Sequence, residues 1–258
     1  MNARIDAADR RTGFRYYDLL VGGMVGVLLC ANLIGPAKTS VIPASWPLIG
    51  GVVFGTGNLF FPISYIFDDV LTEVYGYARA RRATWAGFGA LLFASVMTQV
   101  IIHMPVAASE PFNKTLQPAL EVVFGATWRI ALASLVGFWV GDFVNAWVMA
   151  KMKLWTAGRW LWTRTIGSTV VGEGVDSLTF YPIAFAGIWE SQTIVHVIVF
   201  NWTMKVLVET VLTPVTYAVV GFLKRRENAD TFDVTTNFNP FSLRDEGDVR
   251  QYVEPGRG

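Results

Sequence analysis

Charged residues are scarce in this sequence. Asp, Glu, Lys and Arg make up 16% of its 258 residues, whereas hydrophobic residues make up 53%. Soluble domains carry about 25% charged residues, so this composition indicates a membrane protein. The formal net charge is only +1, which gives no electrostatic reason to expect a nucleic-acid partner.

Cysteine and histidine are also scarce, with one Cys and two His. A single cysteine, Cys30, excludes an intramolecular disulfide and a cysteine metal cluster. The sequence contains no Walker loop, no His-Glu-x-x-His zinc motif and no Gly-x-Ser-x-Gly nucleophile motif. We therefore expect no catalytic residues, no metal and no cofactor, which makes an intramembrane enzyme the weakest of the functional alternatives.

Long apolar runs dominate the chain instead. A bilayer core about 30 Å thick is crossed by roughly 20 apolar residues in a helix. Six stretches meet this requirement, and we predict an all-α, six-helix transmembrane bundle. The predicted spans are Tyr17–Ile34, Trp46–Phe67, Ala83–Met104, Ala126–Ala150, Thr165–Ile188 and Ile194–Leu223.

Lys and Arg residues between these spans predict the orientation, since they concentrate on the cytoplasmic side. Fourteen lie in the N-tail and the segments after spans 2, 4 and 6, against Lys38 and Lys114, or three if Arg129 is included, on the other side. Both termini are therefore predicted to be cytoplasmic. We divide the chain into an N-tail (1–16), a transmembrane domain (17–226) and a polar, mobile C-tail (227–258). Glycine-rich spans permit a homodimer without requiring one.

Several ionisable residues interrupt the predicted spans. A charge at mid-membrane costs about 2.5–3.5 kcal/mol on the insertion scale, so these residues need a polar interior, a partner or neutralisation. Helical spacing places them on stripes that can face one common cavity. The stripes contain Asn58, Phe61, Tyr65 and Asp69 along span 2 and just beyond its end, Asp142 and Asn145 in span 4, Glu173 and Asp176 in span 5, and Asn201, Lys205 and Glu209 in span 6.

Simpler interpretations remain open for some of these residues. Asp68 and Asp69 can lie at the inner interface, where a charge costs little. Lys205 and Glu209 can form a structural pair four residues apart, and Asp142 can reach toward the inner surface. Arg164, at the start of span 5, fits a cytoplasmic anchor as well as a substrate contact.

Four segments resemble the queuosine precursor transporter family, also called the vitamin uptake transporter group. They are Phe61-Pro-Ile-Ser-Tyr-Ile-Phe-Asp-Asp-Val-Leu-Thr-Glu-Val-Tyr-Gly-Tyr77, Gly141-Asp-x-x-Asn145, Gly172-Glu-Gly-Val-Asp-Ser-Leu-x-Phe180, and Lys205-Val-Leu with Pro214 downstream. The resemblance extends from about residue 17 to 226. Asp69, Asp176 and Lys205 match the family pattern, whereas the acidic residues Glu73 and Glu173 depart from it.

The resemblance implies a multi-pass transporter of the bacterial inner membrane, similar in fold to the substrate-binding subunits of energy-coupling-factor transporters. It implies import of 7-deazaguanine precursors of queuosine, namely 7-cyano-7-deazaguanine or its aminomethyl form, for tRNA modification. The alternatives are a transporter, or a capture subunit with an external ATPase, for another vitamin or nucleobase.

We hypothesise how such a substrate binds. A carboxylate can accept both the N1–H and the exocyclic amine of a deazaguanine, so Asp176 or Glu173 would read this edge. Lys205, Asn145 or a backbone N–H would donate to the carbonyl, and Phe61, Tyr65, Phe180 or Tyr181 would stack on the ring. Asp69 would lie at the inner gate, and Asp142, Glu73 and Glu209 are candidates for gating or ion coupling.

Overall fold

The computed structural model describes residues 14–34, 39–41, 43–45, 53–107, 109–124, 128–244 and 248–250. Within these ranges most of the chain is helical. The α-helices are α1 (Tyr17–Leu29), α2 (Phe61–Tyr75), α3 (Tyr77–His103), α4 (Asn113–Phe124), α5 (Trp128–Trp155), α6 (Leu161–Phe185) and α7 (Ser191–Glu227).

Shorter elements extend or connect these helices. A π-helical segment, Cys30–Ile34, continues α1, so the two together cover the predicted first span. A 3₁₀ turn, Thr56–Leu59, precedes α2. Two antiparallel pairs, β1 (Thr39–Val41) with β2 (Val53–Gly55) and β3 (Asp230–Phe232) with β4 (Asp248–Arg250), add a little strand that the all-α prediction omitted.

The predicted second span, Trp46–Phe67, is not one continuous helix. Val53–Gly55 is a strand, and α2 begins only at Phe61, with Pro62 in its first turn. Gly55 and Gly57 weaken a helix by about 1 kcal/mol each relative to alanine, whereas proline suits a helix start. The first part of the predicted span, residues 46–52, lies outside the described residues.

The other predicted spans are helical over their described residues, except for Met104 and residues 186–188, which lie beyond the ends of α3 and α6. α3, α6 and α7 begin three to six residues earlier than predicted, and α5 and α7 extend about one turn further at their ends. A short amphipathic piece was expected in Pro105–Pro118, and α4 occupies the second half of that segment and continues beyond it. Hydrophobic periodicity therefore located these helices but not their ends.

In the described part of the chain, three helices are both long and apolar enough to cross a membrane: Tyr77–His103, Leu132–Trp155 and Ser191–Glu227. Many of their large apolar side chains are exposed, including Phe93 and Val211. Contiguous exposed apolar surface on long helices is stable in lipid and not in water. The chain is a helical membrane protein.

α5 and α6 form the most extensive helix pair, and glycines allow their close approach. A Cβ atom on Gly141 would lie 2.8 Å from Asp176 Cβ, and one on Gly172 would lie 2.7 Å from Asn145 Cβ. Small residues at a membrane helix interface bring backbones together and increase van der Waals contact. The glycines of the Gly-Asp-x-x-Asn and Gly-Glu-Gly-Val-Asp motifs thus bring the polar residues of these two motifs close together.

We expect Gly172→Ala to reduce stability by about 1–3 kcal/mol, because the added methyl group overpacks the α5–α6 contact. Thermal unfolding of the purified protein in detergent measures this loss as a lower midpoint. Gly89→Ala in α3 is the matched control, since its Cβ would meet nothing within 4 Å. Equal midpoints for Gly172→Ala and the unaltered protein would contradict the close packing.

The helix ends that were predicted to be cytoplasmic meet at one end of the bundle. The Glu227 carboxylate at the end of α7 accepts hydrogen bonds from the backbone N–H groups of Arg15 and Tyr16, at 3.0 and 2.8 Å. It also accepts one from the Tyr75 hydroxyl at the end of α2, at 3.0 Å. The start of α1 and the ends of α2 and α7 therefore lie together.

The segment after α7 packs against this end of the bundle, whereas we expected a mobile tail. Arg81 donates to the carbonyls of Asn237 and Asn239, at 2.6 and 2.7 Å, and Asp233 accepts from Tyr77 N–H. Thr231 is fully buried, and a Cβ on Gly76, at φ +84°, would lie 2.5 Å from its methyl group. The tail's polar composition misled the prediction because backbone carbonyls supply most of its contacts.

Candidate functional site

A cavity of about 350 Å³ lies among α1, α2, α5, α6 and α7. This volume is within the range of small-molecule sites, about 300–1,000 Å³. Carboxyl groups line it from three helices and one lysine faces them. The polar lining includes Asn32, Ser64, Tyr65, Asp68, Asp69, Ser134, Asp142, Asn145, Thr169, Glu173, Asp176, Tyr181, Asn201 and Lys205.

Lys205 joins the two carboxylates of α6 to α7. Its ammonium group donates to Asp176 Oδ2 at 2.9 Å and also contacts Glu173 Oε2. The three side chains are 15–25% exposed, and Asp176 is the most exposed of them. One cation beside two carboxylates leaves carboxylate oxygens available to a ligand. Glu173 and Asp176 lie three residues apart on one helix face, as their spacing predicted.

α2 and α5 supply the opposite polar wall. Tyr65 and Asp69, one helical turn apart, are 6% and 1% exposed, and both line the cavity. On α5, Asp142 and Asn145 do the same. Asp69 and Asp142, for which positions at the inner interface were the simpler alternatives, are both buried against the cavity.

Phe180 adds an aromatic surface near these groups, and it packs edge-on against Tyr181 at 5.0 Å between ring centres. Both rings, together with Phe138 from α5, line the cavity. The side chain of Phe61, a predicted stacking residue, lies outside the described part of the structure. Among the predicted stacking residues, Tyr65, Phe180 and Tyr181 are thus the ones that the structure brings to the cavity.

Glu209 lies behind the cavity wall and not on it. Its side chain is fully buried, and its carboxyl group is within hydrogen-bonding reach of Asp69. The alternative that Glu209 pairs with Lys205 does not hold, because neither Glu209 oxygen has a hydrogen-bond donor among the described residues.

Glu73 belongs to a separate group of buried charges, here called the ionic cluster and defined by Glu73, Lys153, Arg164, Lys224 and Asp230. Arg164 holds both carboxylate oxygens of Glu73, at 2.7 and 2.8 Å. Lys224 Nζ lies 2.5 Å from Glu73 Oε1 and 2.8 Å from Asp230 Oδ1. Lys153 donates to Asp230 at 2.6 Å. The cluster joins α2, α5, α6, α7 and β3.

The ionic cluster lies one helical turn beyond the cavity lining on α2. Glu73 follows Asp69 by one helical turn, and Glu73, Arg164 and Lys153 are at most 2% exposed. Lys153 and Lys224 are among the fourteen basic residues that were predicted to lie on the cytoplasmic side. Arg164 was interpreted as a cytoplasmic anchor or a substrate contact. The structure buries all three on Glu73. The one feature of the sequence that could have indicated this ion pairing is the acidic residue Glu73, one turn beyond Asp69.

Sequence reasoning also missed Asn32 and Ser134, which line the cavity. Ser134 donates to Asn32 Oδ1 at 2.8 Å, and Asn32 lies in the π-helical segment after α1. π-Helical turns are rare in proteins, and those that occur often lie at functional sites. That irregular turn, which periodicity does not reveal, brings Asn32 to the cavity.

The arrangement suits a neutral, planar, hydrogen-bonding molecule. Carboxylates accept from N–H groups, Lys205 and Asn145 donate to carbonyls, and aromatic rings cover flat faces. Among the described residues, no group of three or more His, Cys, Asp or Glu side chains is arranged to hold a metal ion. The geometry therefore favours recognition of a small organic molecule.

Much of the chain matches a known protein family and two known proteins. Residues 55–219 match the family described as "Putative vitamin uptake transporter". "Probable queuosine precursor transporter" of Bacillus subtilis (strain 168) is 32% identical over 202 residues, which are 78% of this chain and 83% of that protein. "Queuosine precursor transporter" of Escherichia coli (strain K12) is 24% identical over 184 residues, 69% and 77% of the two chains.

No solved structure matches the chain. The family match and the first of these relatives confirm the resemblance predicted from the four motifs. The chain belongs to the queuosine precursor transporter family, the vitamin uptake transporter group.

Proposed function

We propose that this chain imports 7-deazaguanine precursors of queuosine, 7-cyano-7-deazaguanine or its aminomethyl form, across the bacterial inner membrane. The observation that carries the proposal is the cavity in which Lys205 joins Glu173 and Asp176 beside aromatic rings. The names of the two relatives supply the substrate class. Transport proceeds without chemical conversion of the substrate, so the protein is not an enzyme.

The chain crosses the membrane six times, with both termini in the cytoplasm. The crossings are α1 with its π-helical extension, α2 with the segment before it, α3, α5, α6 and α7. Contacts at one end of the bundle support this order, because α1, α3 and α6 begin there and α2, α5 and α7 end there. The excess of Lys and Arg at the same end identifies it as cytoplasmic.

Substrate recognition follows from the charges and donors in the cavity. Asp176, the most exposed of the three groups joined by Lys205, accepts the N1–H and the exocyclic amine of the deazaguanine edge. Glu173 stays with Lys205, and Asn145 or Lys205 donates to the substrate carbonyl. Tyr65 and Phe180 cover the ring faces.

Asp69 and the ionic cluster form the inner gate in this proposal. The cluster closes the cytoplasmic end in this proposal, because Glu73, Arg164 and Lys153 are at most 2% exposed. The described conformation therefore has its cytoplasmic exit closed. Release of substrate requires that α2 separate from α6 and α7 around Glu73.

Restoration of modified tRNA tests the function in a cell. A bacterium that lacks both queuosine precursor synthesis and its own importer is expected to regain queuosine in tRNA when it expresses this chain and receives 7-cyano-7-deazaguanine. The measurement is mass spectrometry of digested tRNA. The empty vector, and cells without supplied precursor, are the controls.

An unmodified tRNA pool, with the protein verified in the membrane fraction, would contradict the proposal. Competition for uptake by guanine or a vitamin in place of deazaguanines would instead support the alternative of another substrate for the same fold. A requirement for an added ATPase module would identify a capture subunit.

A further inference from the structure

Two carboxyl groups from different helices face each other next to the cavity. Asp69 on α2 and Glu209 on α7 are 1% and 0% exposed, and their carboxyl groups are within hydrogen-bonding reach of each other. Asp69 Oδ2 and both Glu209 oxygens have no N–H or O–H donor among the described residues. We call these two side chains the carboxyl pair.

Two buried carboxylates in this arrangement cannot both be ionised at ordinary cost. Each loses its hydration, and the two negative charges repel at short range in a medium of low dielectric constant. A single proton placed between them removes the repulsion and supplies the missing hydrogen bond. The geometry of the carboxyl pair therefore requires one bound proton in the described conformation.

The surroundings of the carboxyl pair do not neutralise it by other means. Lys205, one turn before Glu209, is engaged by Glu173 and Asp176, and Arg164 is engaged by Glu73. The ionisable groups that interact with the pair are Tyr65, Asp68 and Glu73 on α2, and Arg164 and Glu173 on α6. Asp68 and Glu173 add negative charge beside the pair, which favours proton uptake, whereas Glu73 and Arg164 already pair with each other.

The carboxyl pair lies between the substrate groups and the inner gate. Asp69 lines the cavity and precedes Glu73 of the ionic cluster by one turn, while Glu209 follows Lys205 by one turn. Because the pair spans α2 and α7, separation of these helices moves the two carboxyl groups apart and lets the shared proton leave to the cytoplasm. Proton release is thus linked to the same helix separation that opens the cytoplasmic exit.

We propose that the carboxyl pair, Asp69 and Glu209, binds a transported proton, so that the chain is a proton-coupled symporter. This inference rests on the proposed import function. The proton enters from the outer side with the substrate, occupies the pair, and leaves to the cytoplasm when α2 and α7 separate. The cyano form of the substrate is neutral, so each cycle that imports it moves one positive charge inward.

Transport into proteoliposomes tests the coupling. With 7-cyano-7-deazaguanine as the probe and an inward gradient of one pH unit, the unaltered protein is expected to accumulate substrate up to about tenfold, the ceiling for one proton per substrate. A protonophore is expected to abolish the accumulation. An interior-negative potential, imposed without a pH gradient, is expected to drive accumulation as well.

Glu209→Gln separates coupling from binding, because glutamine mimics the protonated carboxyl and keeps a hydrogen bond to Asp69. This variant is expected to lose accumulation while keeping exchange of labelled for unlabelled substrate across the membrane. Asp69→Asn provides a second variant if Glu209→Gln does not insert. Glu190→Gln is the matched control, since Glu190 is exposed at the start of the same helix.

Four results would overturn the proposal. Accumulation by the unaltered protein that persists with the protonophore excludes proton coupling. Accumulation by Glu209→Gln and Asp69→Asn at the level of Glu190→Gln excludes this pair as the proton site. If the unaltered protein shows no substrate exchange, the proposed import function fails, and the coupling fails with it. If exchange is present but accumulation is absent, only the coupling fails.

Discussion

The Asp176→Asn variant is expected to need about 10- to 100-fold more 7-cyano-7-deazaguanine for half-maximal uptake, because a hydrogen bond to a charged group contributes about 1.5–3 kcal/mol. The carboxylate accepts two neighbouring N–H groups of the substrate. An asparagine offers one acceptor oxygen, and its amide N–H groups face another donor. Initial rates of labelled substrate uptake into membrane vesicles measure the change.

A change of specificity distinguishes this loss from a general structural effect. The unaltered protein is expected to prefer deazaguanine over an analogue without the exocyclic amine, and Asp176→Asn is expected to lose that preference. Asp18→Asn, at an exposed position in the first turn of α1, is the matched control. Lys205→Met is expected to impair uptake too, since it leaves Glu173 and Asp176 facing each other without their shared cation.

Unchanged uptake by both Asp176→Asn and Lys205→Met would remove the basis for the proposed binding site. Impaired uptake with the substrate preference intact would assign recognition of the amine edge to Glu173. The two readouts therefore separate the existence of the site from the choice of carboxylate within it.

Glu73→Gln is expected to destabilise the protein by at least about 3–5 kcal/mol, the usual effect of removing one partner of a buried ion pair. Glu73 is fully buried and contacts Arg164, Lys153 and Lys224. Without its charge, three cations share only Asp230 in a medium that hydrates them poorly. The amount of protein in the membrane and the midpoint of thermal unfolding in detergent measure the effect.

A double variant identifies the cause of that destabilisation. Glu73→Gln combined with Lys224→Met removes one positive charge with the negative one, so it is expected to recover part of the lost stability. Glu110→Gln, at an exposed carboxylate in the segment before α4, is expected to leave stability unchanged. Additive losses in the double variant would show that Glu73 and Lys224 act independently.

Spacing along single helices predicted much of the candidate site. Glu173 with Asp176, Asp142 with Asn145, and Tyr65 with Asp69 each share the face that their sequence separation requires, and all six line the cavity. The cost of a charge in lipid then predicted that these faces turn toward one another. Both arguments use local geometry and solvation, which a sequence contains.

Contacts between distant segments were not predictable in the same way. The pairing of Glu73 with Arg164, 91 residues away, and of Arg81 with the tail, 156 residues away, depends on which helix ends meet. Positive residues near a predicted helix end look alike in sequence, whether they are solvated anchors or buried partners. The apolar run predicted the second span, but only the structure shows a strand and a 3₁₀ turn there before α2 begins at Phe61.

The sequence by itself determined that this chain lies in a membrane, approximately where its helices run, and which polar residues share a helix face, since hydrophobicity and the 3.6-residue period are properties of short segments. Only the tertiary structure decided that Lys205 serves Glu173 and Asp176, that Glu209 faces Asp69, and that three basic residues enclose Glu73. Those choices depend on the rotation and closeness of packed helices, and close packing between distant segments is a property of the whole fold.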